Sequence, residues 1–269
     1  MPFASHQGIK IYYEVEGHGP PIVLAHGLTG NLSFWTGYGY VDKLKDKYSV
    51  ILFDARGHGQ SDKPHETERY DYRLRVGDVI AVLDTLGVTK THYWGYSMGG
   101  YIGFGVAKHF PERLSSLVTG GSNPYAASDT TAVDVMLRIF RRGVQEGVEA
   151  VVTGMREWAG SITPQYEARL RGLDLQAMVA HLEYSRYQRP GLENDVLQIE
   201  LPCLFYAGEA DEGAHAYGQE AVQHMPNARY FSLPGLNHVG ASSATEQIMP
   251  QVLSFLYGLP PPPASKSPL

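Results

Sequence analysis

Short apolar runs and helix-period stripes alternate through the first half of the chain. Ile9 to Val15 is β-rich with a two-residue period, the pattern of a strand with one buried face. Ile22 to Ala25 is fully apolar and stops at His26-Gly27, Tyr48 to Phe53 stops at Asp54, and His92 to Trp94 leads into Gly95. Between the last two, Leu74, Val79, Val82, Leu83 and Leu86 recur at helical spacing within 72–86. Continuous apolar strands alternating with amphipathic helices predict a parallel sheet covered on both faces. Leu114 to Val118 ends this series.

From Ser122 to Val196 the pattern predicts helices and no strand. Val144, Val148, Val151, Val152 and Met155 share one helical face, and Thr163 before Pro164 is an N-cap followed by a first-turn proline. Strand signals return at Leu201 to Ala207 and Arg229 to Leu233, and a helix is expected over Thr245 to Tyr257. The expected organisation is a core of residues 1–121 and 197–258, a helical insert of residues 122–196 acting as a lid, and a proline-rich tail of residues 259–269. Five prolines in the last ten residues make that tail an extended, solvated segment.

Composition narrows the partners. The chain has 269 residues, 43% apolar and 19% charged, which suits a soluble globular protein. Its 22 basic and 28 acidic side chains leave a formal charge of −6, which argues against nucleic acid or an anionic membrane as the main partner. No apolar run approaches the ~20 residues that cross a bilayer, and Met1 to Lys10 lacks a signal-peptide pattern. The expectation is a cytoplasmic protein. A single cysteine, Cys203, allows no internal disulfide; lying in an apolar strand, it reads as a small buried hydrophobe.

The chemistry centres on Gly95-Tyr96-Ser97-Met98-Gly99, a G-x-S-x-G elbow. Such a serine sits on a sharp turn between strand and helix with its hydroxyl above the sheet edge. Gly99, Gly103 and Ala107 then line one helical face, letting the helix approach the sheet. A serine hydroxyl needs a base, and the base needs an orienting carboxylate. Among histidines after the Leu201 strand, His215 lies too close to the acidic cluster and His224 lies in a helical stretch. His238, in the loop after a strand, is the candidate base. Asp211, in Gly208-Glu209-Ala210-Asp211-Glu212, is the candidate acid, with Glu209 as the alternative. Oxyanion donors are expected from the backbone N–H groups of Met98 and of Leu28 in His26-Gly27-Leu28-Thr29-Gly30, with His26 bonded to backbone.

These segments resemble the α/β-hydrolase superfamily throughout the core. Gly95 to Gly100 is similar to its GxSxGG elbow, His26-Gly27 to its oxyanion loop, and Asp54 to Pro64 to its DxRGxGxSxxP segment. The resemblance implies a mostly parallel central sheet flanked by helices, a helical cap insertion, a Ser97–Asp211–His238 triad, and Leu28 and Met98 amides as the oxyanion hole. Within the Asp54 segment, Gly57 and Gly59 are read as turn formers and Arg56 and Asp62 as ties between loops. Branches of this fold that form alkyl-ester intermediates use aspartate at the elbow, so Ser97 excludes epoxide hydrolases and haloalkane dehalogenases.

Tyr96 and Tyr125 flank the expected site, Phe34 follows the oxyanion loop, and Trp158 lies in the insert; these four are the candidate substrate contacts. With the insert's other aromatic and methionine residues they suggest an apolar pocket. No dinucleotide, phosphate-loop or HExxH motif is present, so the sequence implies no cofactor and no metal. The expected function is a carboxylic-ester hydrolase acting through an acyl-enzyme on small or medium apolar esters. Lactones, including acyl-homoserine lactones, C–C bonds next to a ketone, and a low-turnover small-molecule receptor are the alternatives.

Overall fold

In the computed structural model, residues 2–125, 131–160 and 162–263 are described. The strands are β1 (Phe3–His6), β2 (Ile9–Glu16), β3 (Pro21–Ala25), β4 (Ser49–Phe53), β5 (Thr91–Tyr96), β6 (Leu114–Gly120), β7 (Cys203–Gly208) and β8 (Ala228–Leu233). Every residue of β3, β4, β5 and β7 is buried, which is why these segments read as unbroken runs rather than alternating ones. Among the described residues they form one eight-stranded sheet in the order β1-β2-β4-β3-β5-β6-β7-β8. The pairs β1–β2 and β2–β4 are antiparallel and the rest are parallel.

Strand β1 carries no sequence signal: Phe3–His6 is short and half polar. Its hairpin turn holds it to β2, with Gln7 at φ 47° and Gly8 at φ 79° between the paired residues His6 and Ile9.

The helices are α1 (Ser33–Gly37), α2 (Tyr40–Leu44), α3 (Tyr72–Thr85), α4 (Met98–His109), α5 (Thr131–Glu146), α6 (Val148–Ala159), α7 (Pro164–Arg171), α8 (Leu175–Tyr187), α9 (Glu193–Val196), α10 (Glu212–His224), α11 (His238–Ser242) and α12 (Thr245–Tyr257). Buried apolar side chains fall into two clusters. One joins sheet residues to Val76 and Val79 of α3, Phe104 of α4 and Tyr217 of α10; the other joins them to Val41 of α2 and Val252 of α12. The sheet is therefore covered on both faces.

Helices α5 to α9 all lie between β6 and β7. The valine stripe through 144–155 is not one helix. Gly147, at φ 96°, separates α5 from α6, so Val144 is 44% exposed while Val151, Val152 and Met155 are buried. Glycine tolerates that backbone angle where a side chain would be strained, and spacing alone does not register it. Thr163 does cap α7, its side chain accepting from Tyr166 N–H.

At the other end of the chain, Pro262 is buried and Pro261 lines a hollow with Pro20, Lys47 and Tyr48, while Pro260, Pro261 and Pro263 are exposed, so the start of the proline segment rests against the surface with one residue tucked in. Residues 264–269 of the expected tail lie outside the described residues. No helix among the described residues is long and apolar enough to cross a membrane.

The parallel strands β3, β5, β6, β7 and β8 run in the same direction, so their C-terminal residues Ala25, Tyr96, Gly120, Gly208 and Leu233 share one edge of the sheet. In open α/β sheets that edge is where ligands bind.

Candidate active site

Ser97 follows β5 directly and caps the N-terminus of α4, with φ 53° and ψ −115°. A left-handed φ in a non-glycine residue costs about 1–3 kcal/mol, and close packing enforces it. A Cβ on Gly95 would lie 2.3 Å from the Gly99 backbone, one on Gly99 would lie 2.1 Å from the Ala25 carbonyl oxygen, and one on Gly100 would lie 2.7 Å from Ser122 Cβ. The glycines of the elbow are thus the only residues that let strand, turn and helix meet this closely.

Loops from β7 and β8 bring the other two groups to Ser97. His238 Nε2 is 3.0 Å from Ser97 Oγ, and His238 Nδ1 is 2.6 Å from Asp211 Oδ2. The two loops are zipped by backbone bonds from Glu209 N to Leu233 O and from Ala210 N to Leu236 O. A Cβ on Gly208 would lie 2.1 Å from the Leu236 carbonyl oxygen, so that position must stay bare. Glu209, the alternative acid, turns away: its carboxylate accepts from Ser232 Oγ and Gly235 N. His215 is bonded to the Tyr230 hydroxyl. Burial of His238 disfavours its imidazolium, but the charge and hydrogen bond of Asp211 outweigh this and hold its pKa above the ordinary imidazole value.

The loop after β3 passes over Ser97: a Cβ on Gly27 would lie 3.4 Å from Ser97 Cβ. Its peptide planes are held from both sides. Ala55 N–H donates to His26 Nε2 at 3.1 Å, which makes Nδ1 the protonated nitrogen, and Nδ1–H donates to Gly27 O at 2.8 Å. Gly30 N–H donates to the same oxygen at 2.9 Å. The described peptide bonds are trans, so the Leu28 N–H points opposite to that pinned carbonyl. His58 Nε2 lies 2.5 Å from Leu28 O and fixes the next peptide. Met98 N–H belongs to the first turn of α4, where helix N–H groups have no intrahelical acceptor. Burial depresses His26 to about 3, helped by the charges of His58 and, to a lesser degree, Arg169, so it stays neutral.

The Asp54 segment ties loops together. Asp54 accepts from Leu32 N and Gln60 N, Asp62 accepts from Lys10 N, and Arg56 meets both oxygens of Asp78 at 2.6 Å. Cys203 is fully buried and burial pushes its thiol pKa far up.

The four expected substrate contacts divide. Tyr96 is buried, and its hydroxyl donates to the His238 carbonyl oxygen at 2.5 Å, so it supports the loop carrying His238. Phe34 is buried and stacks on Tyr96 at 5.8 Å. Tyr125 bonds to Glu220 and packs on Tyr217, turned toward α10. Trp158 is 36% exposed and lines a surface groove with Arg138, Arg142 and Gly154 that contains none of Ser97, Asp211 and His238; its helix turns it outward, a direction composition does not reveal.

Three neighbours of the site have parts that the sequence does not assign to them. Gly121, at φ 54°, sits where a Cβ would be 3.2 Å from His238 Cε1, and its signal was the Gly120-Gly121 pair after β6. Asn237 caps α11, its side chain accepting from Gly240 N at 2.9 Å. Arg169 of α7 lies over the rings of Phe34, Tyr38 and Tyr166, and an apolar pocket was the expectation there.

A family model described as alpha/beta hydrolase fold matches residues 20–154. A Bacillus subtilis protein provisionally named 2-succinyl-6-hydroxy-2,4-cyclohexadiene-1-carboxylate synthase is 28% identical over 85% of this chain and 88% of its own. The 2-hydroxy-6-oxononadienedioate/2-hydroxy-6-oxononatrienedioate hydrolase of Burkholderia vietnamiensis is 28% identical over 92% of this chain and 91% of its own. Among solved structures, the enol-lactonase from Burkholderia xenovorans superposes with TM-score 0.80 at 24% identity, covering 95% of this chain and 100% of that one.

Proposed function

The chain belongs to the α/β-hydrolase family, and from that premise we propose that it is a serine hydrolase cleaving carboxylic esters or lactones through an acyl-enzyme. The observation that carries this reading is the continuous chain from Ser97 Oγ through His238 to Asp211, with contacts of 3.0 and 2.6 Å, at the C-terminal edge of the sheet. Ser97 Oγ attacks the carbonyl carbon and its proton passes to His238 Nε2. The tetrahedral oxyanion is met by the N–H groups of Leu28 and Met98. His238 returns the proton to the departing alkoxide, leaving Ser97 acylated. Water then attacks the acyl group with His238 again as base, releasing acid and free Ser97. Asp211 keeps the imidazole in the tautomer that can do this and stabilises the imidazolium formed. Helices α5 to α9 act as a cap; the Tyr166–Thr29 hydroxyl contact at 2.9 Å supports this by tying α7 to the oxyanion loop.

Turnover of a panel of p-nitrophenyl esters and lactones by wild type and Ser97→Ala tests the reading, together with mass spectrometry for an acylated Ser97. A pre-steady-state burst and loss of turnover in Ser97→Ala are expected; equal rates on every compound would end the proposal. A second reading, hydrolysis of a C–C bond beside a ketone, is favoured by the name of the Burkholderia vietnamiensis relative. It predicts Ser97-dependent cleavage of diketones with little ester turnover.

A further inference from the structure

Arg169 has no part in the steps above, yet it is buried beside them. Helix α7 shows why it points inward. Tyr166, Arg169 and Leu170, at i, i+3 and i+4, form the buried stripe. The other charges of the helix turn outward: Glu167 pairs with Arg156 and Arg171, and Arg171 also pairs with Glu149. Arg169 itself is only 8% exposed. Its Nη2 donates to the Tyr38 hydroxyl at 2.8 Å, while Nε and Nη1 have no hydrogen-bond partner.

A guanidinium cannot shed its proton, so burial leaves a fixed positive charge with open N–H donors. The rings of Phe34, Tyr38 and Tyr166, at 5.7, 4.9 and 5.5 Å from Cζ, soften the charge, but apart from the Tyr38 hydroxyl on Nη2 they supply no acceptor, and Nε and Nη1 stay unpaired. The contrast is Arg56, which is fully buried. There the chain supplies both oxygens of Asp78 and the Arg69 carbonyl. Arg75 also leaves two nitrogens unpartnered; its neighbours are His181 and Tyr184 of α8, whereas those of Arg169 lead to Ser97. Tyr166 is bonded to Thr29, next to Leu28, and Phe34 stacks on Tyr96, which holds the His238 carbonyl.

We propose that Arg169 binds a carboxylate of the substrate, so that the preferred substrates are acyl compounds carrying a second, anionic group within reach of α7. This deepens the serine-hydrolase reading and rests on it. The carboxylate would supply the acceptors that the protein withholds, and the aromatic rings around the guanidinium would keep water from competing for it. Such a group adds little to the binding of an uncharged ester, so the discrimination lies in the ratio between charged and neutral substrates.

The test compares p-nitrophenyl half-esters of dicarboxylic acids, from succinate to adipate, with their uncharged branched isosteres, each rate taken above the Ser97→Ala background. Wild type is expected to favour at least one half-ester over its isostere in kcat/KM. Arg169→Met should lower that ratio by about 10- to 100-fold, and Arg169→Lys, which keeps the charge but not the planar fork, should recover part of it. Glutarate binding to Ser97→Ala by calorimetry, lost when Arg169→Met is added, reads the same contact without turnover. A wild-type preference for the isosteres throughout the series, or a ratio unmoved by Arg169→Met, overturns the proposal. Should Arg169→Met fail to fold, the wild-type ratio and glutarate binding decide. Ester cleavage through Ser97 with no charge preference and no glutarate binding sinks the anion site and leaves the hydrolase. Glutarate binding through Arg169 without any Ser97-dependent turnover does the reverse.

Discussion

His26 makes two hydrogen bonds from opposite sides of one ring, and two substitutions separate them. Nε2 accepts from Ala55 N–H at 3.1 Å, and Nδ1–H donates to Gly27 O at 2.8 Å. Asparagine places an amide N–H near the Nδ1 position but leaves Ala55 N–H, on a residue 4% exposed, without an acceptor. An orphaned buried donor costs about 1–3 kcal/mol, or a melting temperature lower by roughly 3–10 °C for a domain of this size. Glutamine places an acceptor near the Nε2 position but offers no donor to Gly27 O, which then keeps only Gly30 N–H at 2.9 Å. The Gly27–Leu28 peptide is freed to rock, and with it the Leu28 N–H. Outright loss of an oxyanion donor costs about 100- to 1000-fold in kcat, so partial loss of orientation should cost about 10- to 100-fold. The assay is kcat on a p-nitrophenyl ester alongside thermal unfolding of both variants. His26→Asn should lose stability and keep most of its rate; His26→Gln should lose rate and keep most of its stability. If rate and stability fell together in both variants, the claim that His26 orients the oxyanion loop would be wrong.

Other predictions follow from the same geometry. Asp211→Asn should cut kcat by about 1000- to 10,000-fold with the fold intact by circular dichroism, whereas Glu209→Gln, away from His238, should change it less than about 3-fold. Only neutral His238 accepts the serine proton, so kcat/KM rises with pH through its pKa, and because Asp211 holds that pKa up, the acid limb in Asp211→Asn should move to lower pH; an unmoved limb would argue against the coupling. Gly99→Ala would press a Cβ to within 2.1 Å of the Ala25 carbonyl oxygen and should leave little folded protein by analytical gel filtration. Buried His26 and His92 are held near 3 and 4, so below an unfolded-state pKa of about 6.5 the unfolded chain binds protons that the native state does not. Stability should therefore fall as pH drops from about 6.5 toward 4, by on the order of 2–3 kcal/mol from His26 alone near the end of that range. Urea titrations across this range check it, and a flat profile would contradict the burial of both rings.

Much of the candidate site is written locally. A left-handed serine between glycines, a neutral histidine next to a loop glycine, and fully buried strands each leave a short-range mark, because turns and close backbone approaches permit few residue types. Ser97, Asp211 and His238 could be picked out as candidates for that reason, as could the strands that carry them, though that Asp211 rather than Glu209 meets His238 depends on how the β7 and β8 loops are zipped together. Strand β1 left no mark, since its pairing depends on a hairpin rather than on apolar content. Along the helices between β6 and β7 the periodicity showed which residues share a face, but not where one helix stops or which way that face looks. Gly147 breaks the valine stripe, Trp158 faces outward, and Tyr125 leans on α10. Arg169 is the clearest case: in the sequence it is one of several alternating charges on α7, and only packing turns it inward while its neighbours pair at the surface. Turn geometry is dictated by neighbours in the chain, whereas the direction of a helix face is dictated by whatever packs against it from elsewhere.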